Sequence, residues 1–190
     1  IYNQRAEIER IADEICEKGF DSIFFTSSGG SLAMMQPFDY MVSVMSDIPV
    51  QSQVSADFLT VGNRRIGKGT LAFMASKSGD TKETVAAAKA AKDAGCTIVS
   101  TLGVDGSPLG ELSDYGVIYK QGRPMELVLY LLIGKILKNR GFFDDYDRFA
   151  DELVNLPAAL VSVGKNADEM ARAYALKHKE DPYQIWIGSG

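Results

Sequence analysis

This chain has few of the groups that carry out chemistry on their own. It holds one histidine, His178, set between Lys177 and Lys179 on a polar helix end. A catalytic base needs convergent neighbours, and that position offers none, so His178 reads as a surface residue. There are two cysteines, Cys16 in an expected helix and Cys96 in an expected strand. They match no metal or redox spacing, and a reduced cytoplasmic interior is the expected compartment. No long apolar run is present: Leu127 to Leu137 is interrupted by Gly134-Lys135 and is too short to span a bilayer, so no membrane contact is expected. Residues 1–20 carry Arg5, Glu7, Glu9, Arg10, Asp13 and Glu14, which excludes a signal peptide. Positive charge is also in short supply. A net charge of -5 counts against nucleic acid as a partner, and any acidic ligand must be held by local donors instead of a general field.

A phosphate loop of the G-x-x-x-x-G-K-[ST] type is missing as well. Gly62-Asn63-Arg64-Arg65-Ile66-Gly67-Lys68 begins the pattern, but Gly69 stands where Ser or Thr is required. No strand enters it and no helix leaves it, so it reads as a basic surface loop.

What remains is a chain of 190 residues, 46% hydrophobic, with a mean hydropathy of -0.05. That is enough for one sizeable core and too little for two full α/β domains. The stretch from Thr70 to Gly95 organises it. Leu71-Ala72-Phe73-Met74-Ala75 reads as a strand buried on both faces, and helix-forming sequence follows from Lys82 to Ala94. Asp80 and Glu83 are spaced as a capping box, which predicts a helix starting near Asp80, and Gly95 stops it. Ser76, Ser78, Thr81 and Gly79 thus crowd a strand-to-helix turn, where free backbone N–H groups and the helix dipole attract an anion. The plainer reading is a hydroxyl-rich turn that only caps its helix.

Along the chain, Ile8, Ile11 and Ile15 mark an amphipathic helix over 3–18, followed by a buried-type strand at Ser22–Thr26. A helix to about Ser46 is predicted next, packing through Met34, Phe38, Met41, Val42 and Met45 and bent at Pro37. Its methionines read as core filler. Strands are predicted at 49–54, 97–102 and 116–119, with short helices near Ala56–Thr60 and after Ser107-Pro108. Strands alternating with helices predict a parallel sheet with helices on both faces. The helix over Pro124–Lys138 is apolar almost all round, which predicts burial by its own sheet or by a partner; a homodimer or inter-lobe contact is expected. Glu126 either points into a crevice or is a helix-start charge. Two further helices, Asp144–Leu156 and Pro157–Lys179, follow with no strand between them.

Strand C-termini of an open parallel sheet share one edge. Ser28, Gly29, Gly30 and Ser31, after the first strand, should therefore meet Ser76, Ser78 and Thr81, with Ser107-Pro108 beside them. Two such turns on one edge point to a sugar-phosphate or similar anion.

These segments, Ser28-Gly29-Gly30-Ser31, Ser76-Lys77-Ser78-Gly79-Asp80-Thr81-Lys82-Glu83-Thr84, and Ser107-Pro108-Leu109 with Asp114, together resemble the SIS (sugar isomerase) domain over about residues 20–140. The resemblance implies a flavodoxin-like, doubly wound five-stranded parallel sheet with extra C-terminal connector helices. It also implies that Ser31, Ser76, Ser78 and Thr81 hold the phosphate of a phosphosugar, with Lys77 lining the pocket. The layout is most similar to the first lobe of double-SIS fructosamine-phosphate deglycases, in which the catalytic Glu and His come from a second lobe. On that basis 1–140 is the SIS domain and 141–182 a helical connector. Residues 183–190, with Ile185-Trp186-Ile187-Gly188, begin a second copy of the first strand and loop. No cofactor or metal is expected, and the catalytic residues are not among those identified. The expected activity of the intact protein is deglycation or aldose–ketose isomerisation. The alternatives are a non-catalytic sugar-phosphate sensor, which is expected to carry a basic helix-turn-helix that these 190 residues do not show, and a single-lobe isomerase, whose length fits but whose tail does not.

Overall fold

Every residue of the strand β3 (Thr70–Ser76) is buried, and it forms the middle of the sheet. The computed structural model describes residues 2–119 and 125–183. β3 lies between β1 (Ser22–Ser27) and β4 (Thr97–Leu102), with β2 (Val50–Val54) and β5 (Tyr115–Ile118) at the two edges, in the order β2-β1-β3-β4-β5. All four pairings are parallel; Phe25 faces Phe73 across β1 and β3, and Ser76 faces Leu102 across β3 and β4. This is the doubly wound, five-stranded α/β sheet that the alternating pattern predicts.

Residues two apart along a strand share a face, and that alternation divides the core. Phe24, Ala72, Met74, Ile98 and Leu102 pack with Phe58 of α4 (Ser55–Val61), with Ala87, Ala88 and Ala91 of α5 (Lys82–Asp93), and with Leu109 of α6 (Pro108–Leu112). The alanines let α5 lie close to the sheet. The other face is covered by α1 (Tyr2–Lys18), α3 (Gln36–Met45) and α7 (Met125–Asn139), with α7 packed against α1, α3 and β4.

Three expectations change. The helix expected from the first loop to Ser46 is two helices, α2 (Gly30–Ala33) and α3, broken at Met34-Met35, with Pro37 in the first turn of α3 instead of bending one helix. The break turns Met35 into the core and leaves Met34 at the surface. The helix after β3 has its N-cap at Thr81, not Asp80, and no side-chain cap bond. Third, of the two covers expected for α7, its own sheet or a partner, its own chain supplies the first, burying Leu127, Val128, Leu129, Leu131, Leu132, Ile133, Ile136 and Leu137. Its apolar surface is accounted for by α1 and α3 and no longer argues for a second copy.

The described residues form two compact units, divided between Tyr146 and Asp147. The second holds most of α8 (Tyr146–Glu152), a 3₁₀ turn at Leu153–Asn155, and α9 (Leu156–Lys177). The expected strand over 183–190 falls outside the described residues from 184 onward. At the end of α9 the His178 ring stacks on Tyr174 at 4.4 Å, and its Nδ1 lies 2.7 Å from Asp181 Oδ2.

Cys96 sits in the core just ahead of β4, and burial pushes its thiol up to about 11; burial also raises that of Cys16. A raised thiol pKa keeps the protonated, unreactive form at neutral pH. Native protein at pH 7.5 should therefore be alkylated by iodoacetamide at least ~10-fold more slowly than free cysteine, as read by mass spectrometry. Equal rates would contradict the burial of Cys96 and the half-burial of Cys16. Among the described residues, no cluster of three His, Cys, Asp or Glu could hold a metal, and no helix is long and apolar enough to cross a membrane.

Candidate functional site at the carboxyl edge of the sheet

The strand order reverses between β1 and β3: the chain leaves β1 for β2 on one side and continues from β3 to β4 on the other. In an open parallel sheet the ligand crevice lies at such a reversal, beyond the strand C-termini. The two hydroxyl-rich turns are on these neighbouring strands.

Several contacts join them. The Ser27 hydroxyl, at the end of β1, donates to the Ala75 carbonyl at 2.7 Å and accepts the Ala75 N–H at 2.9 Å. One side chain thus ties the last residues of β1 and β3 together. Just beyond, the Thr84 hydroxyl in the first turn of α5 donates to Ser28 Oγ at 3.4 Å. The short helix α2, which carries Ser31, packs against both β1 and β3. Ser28 and Ser31 are half-buried, as is Thr81, while Lys77, Ser78 and Asp80 are exposed. The hydroxyls expected to meet therefore come from adjoining turns.

The β3 turn has its own frame. Buried Ser76 accepts the Gly79 N–H on Oγ at 2.9 Å, and the same oxygen lies 3.1 Å from Thr81 Oγ1. Gly79 has φ +73, a left-handed bend that side chains disfavour. With that bend the chain needs one more residue before α5 starts, and Thr81 takes the capping position while its hydroxyl engages Ser76. This is why the Asp80–Glu83 box does not form.

A third turn backs the second. The Gly103 N–H reaches the Ser76 carbonyl at 3.4 Å, and the Leu109 N–H donates to the Gly79 carbonyl at 2.9 Å. Ser107 caps α6 through its backbone, followed by Pro108, as the sequence suggests. Farther along this edge, burial raises the Tyr119 phenol above its ordinary range, with the negative charge of Glu126 adding to the effect. Glu126 is thus a first-turn charge of α7 near the end of β5.

Chemically, the edge offers small hydroxyls, a lysine ammonium and backbone N–H groups at the start of a twelve-residue helix. Donors of this kind suit a compact anion. Sequence reasoning assigned neither Ser27 nor Thr84 to the site, although Thr84 closes the run that carries the family resemblance. Ser27 continues an apolar strand and Thr84 falls inside a helix, so neither carries a loop signature; their position beside the turns is the signal.

Comparison with known proteins gives a consistent picture. The SIS domain family model matches residues 18–133. Glutamine–fructose-6-phosphate aminotransferase (isomerizing) from Thermotoga maritima is 30% identical over 91% of this chain and 30% of its own length. Fructosamine deglycase FrlB from Bacillus subtilis is 25% identical over 97% of this chain and 58% of its own. A Salmonella typhimurium structure described as a phosphosugar isomerase superposes with a TM-score of 0.84 at 23% identity, over 93% of this chain and 56% of that one. The chain therefore spans between about a third and three fifths of the length of these relatives.

Proposed function

Because the chain belongs to the SIS domain family, we propose that it is the phosphosugar-binding lobe of a fructosamine-phosphate deglycase or an aldose–ketose phosphosugar isomerase. The observation that carries this reading is the contiguity of the β1 and β3 turns, tied by Ser27 to Ala75 and by Thr84 to Ser28. The phosphate sits over the start of α5. Ser28, Ser31, Ser78 and Thr81 direct hydroxyls at it, Gly29 and Gly30 keep the approach open, and Lys77 adds charge. Ser76 keeps the Gly79 N–H on one lone pair, and its own hydroxyl proton, free to rotate, turns to the phosphate beside that of Thr81.

The phosphate is a handle. Its binding energy orients an open-chain sugar whose reacting carbons lie several bonds away. The reaction proposed for the whole protein begins with proton abstraction next to a carbonyl or imine. In an isomerase the proton returns one carbon along; in a deglycase the enamine formed releases its amine after hydrolysis. The three turns present donors and no placed base, and His178 is occupied by Asp181 and Tyr174. The proton-transfer groups therefore lie outside the turns described. We place them in a second lobe, with 1–140 the first SIS domain, 141–182 a connector and 183–190 the start of that second lobe. Cytoplasmic location completes the proposal.

Calorimetry with fructose 6-phosphate tests the handle. Ser78→Ala should weaken binding by about 1–3 kcal/mol as a charge-assisted hydrogen bond is lost. Unchanged affinity removes Ser78 from the site. Amine release from a fructosamine phosphate by the 190-residue chain alone would overturn the assignment of catalysis elsewhere.

A further inference from the structure

Ser107 is a polar side chain buried without a hydrogen bond. The residue is 4% exposed, and its Oγ has no partner among the described residues. A serine at a helix N-cap ordinarily accepts an N–H from the first turn. Ser107 has the extended backbone of a cap, φ -79 and ψ 157, yet makes no such bond, and the helix behind it is only five residues long. Its oxygen lies against Gly79, with Gly110 on its other flank. A Cβ placed on Gly79 would lie 2.1 Å from Ser107 Oγ and 2.3 Å from Ser107 Cβ. Ser107 therefore sits directly against the left-handed bend of the β3 turn.

Two more contacts press on the same turn from the same side. The Leu109 N–H holds the Gly79 carbonyl at 2.9 Å. Gly103 runs so close to the turn that a Cβ there would lie 2.3 Å from the Lys77 carbonyl oxygen. The β4 turn is thus a mould for the β3 turn, and Ser107 fills it behind the residue with the least tolerance. A buried hydroxyl with no partner is destabilising. Alanine at 107 would remove that penalty, but of the two atoms that stand against Gly79, Oγ and Cβ, it would leave only the Cβ.

We infer that Ser107 is a positioning residue for the anion-binding turn: it touches no ligand, and it holds Gly79 where the Ser76, Ser78 and Thr81 donors converge. The inference rests on the phosphate reading above. It predicts opposite signs for stability and binding, which a purely structural role would not give. Ser107→Ala should melt at the same temperature as the parent or higher, yet bind inorganic phosphate about five- to tenfold more weakly, because loosely supported donors lose affinity. Ser107→Cys, which refills the space with sulfur, should restore most of the affinity.

The deciding experiment records amide NMR spectra of the parent, Ser107→Ala and Ser107→Cys, with and without inorganic phosphate, alongside melting curves. Support is a displaced Gly79 amide in unliganded Ser107→Ala that returns in Ser107→Cys, with weaker phosphate binding at undiminished melting temperature. A Gly79 amide unmoved by Ser107→Ala, equal phosphate affinity, or an affinity loss matched by a lower melting temperature would each overturn the inference. If phosphate moves no amide in the parent, the phosphate reading fails by itself, and the unliganded Gly79 shift still decides whether Ser107 positions the turn.

Discussion

Gly79→Ala is expected to lose phosphosugar binding by about 100-fold and to cost about 3 kcal/mol of stability. Two penalties combine. At φ +73 an L-residue is strained by ~1–2 kcal/mol. The new Cβ would also overlap Ser107, whose Cβ, only 2.3 Å away, cannot rotate aside. Either the turn opens or the β4 turn retreats. Opening the turn separates the Gly79 N–H from Ser76 and moves Ser78 and Thr81 with it. Titration calorimetry with fructose 6-phosphate and thermal melts measure both parts. A Gly79→Ala protein that binds and melts like the parent would show that the bend is not required.

Tyr146→Ala should be the most destabilising single truncation outside the sheet, at about 3–5 kcal/mol, lowering the melting temperature by roughly 10 °C. The ring is fully buried, and a Cβ on Gly134 of α7 would come within 3.0 Å of it. Phe143 stands edge-on at 6.0 Å and Lys138 lies over the face at 5.7 Å. The hydroxyl donates to Glu9 Oε1 at 2.9 Å, with the Leu131 carbonyl at 3.2 Å. One side chain thus joins α1 and α7 at the end of the first unit. Tyr146→Phe isolates the polar part and should cost only about 1 kcal/mol, because Glu9 keeps Arg5 at 2.7 Å. Equal melting temperatures for Tyr146→Ala and the parent would mean that the ring bears no weight there. Neither substitution should alter phosphate affinity in protein that remains folded, since the contacts described for Tyr146 are with Glu9, Leu131, Gly134, Lys138 and Phe143, none of them in the turns.

How much of this was readable in the chain depends on the range of the interaction. β1, β3 and β4 were legible as short, largely apolar runs bounded by glycine or polar residues, whereas the edge strand β2, Val50-Gln51-Ser52-Gln53-Val54 and only partly buried, followed from its place in the strand–helix alternation. The short helices at Ser55–Val61 and Pro108–Leu112 followed from local signals. Failures came where a local preference met a distant competitor. Asp80 and Glu83 have the spacing of a cap, but Thr81 is drawn to Ser76 and Gly79 bends the chain first. Met34 has helical spacing with Phe38, yet the break before Pro37 moves Met35 to the core. The apolar α7 could be read as a partner surface because its cover, α1, is more than a hundred residues earlier in the chain.

Sequence alone determined the class of fold, the family, and the kinds of donor gathered in the turns after β1 and β3. Periodicity and short motifs are local properties, and each residue carries its share without help. Tertiary structure decided which donors adjoin, that Ser27 and Thr84 join them, and that Ser107 stands unpaired behind Gly79. Those facts depend on strand order and on atoms within a few ångströms whose residues lie 28 to 56 apart in the sequence, and no local pattern encodes such a distance.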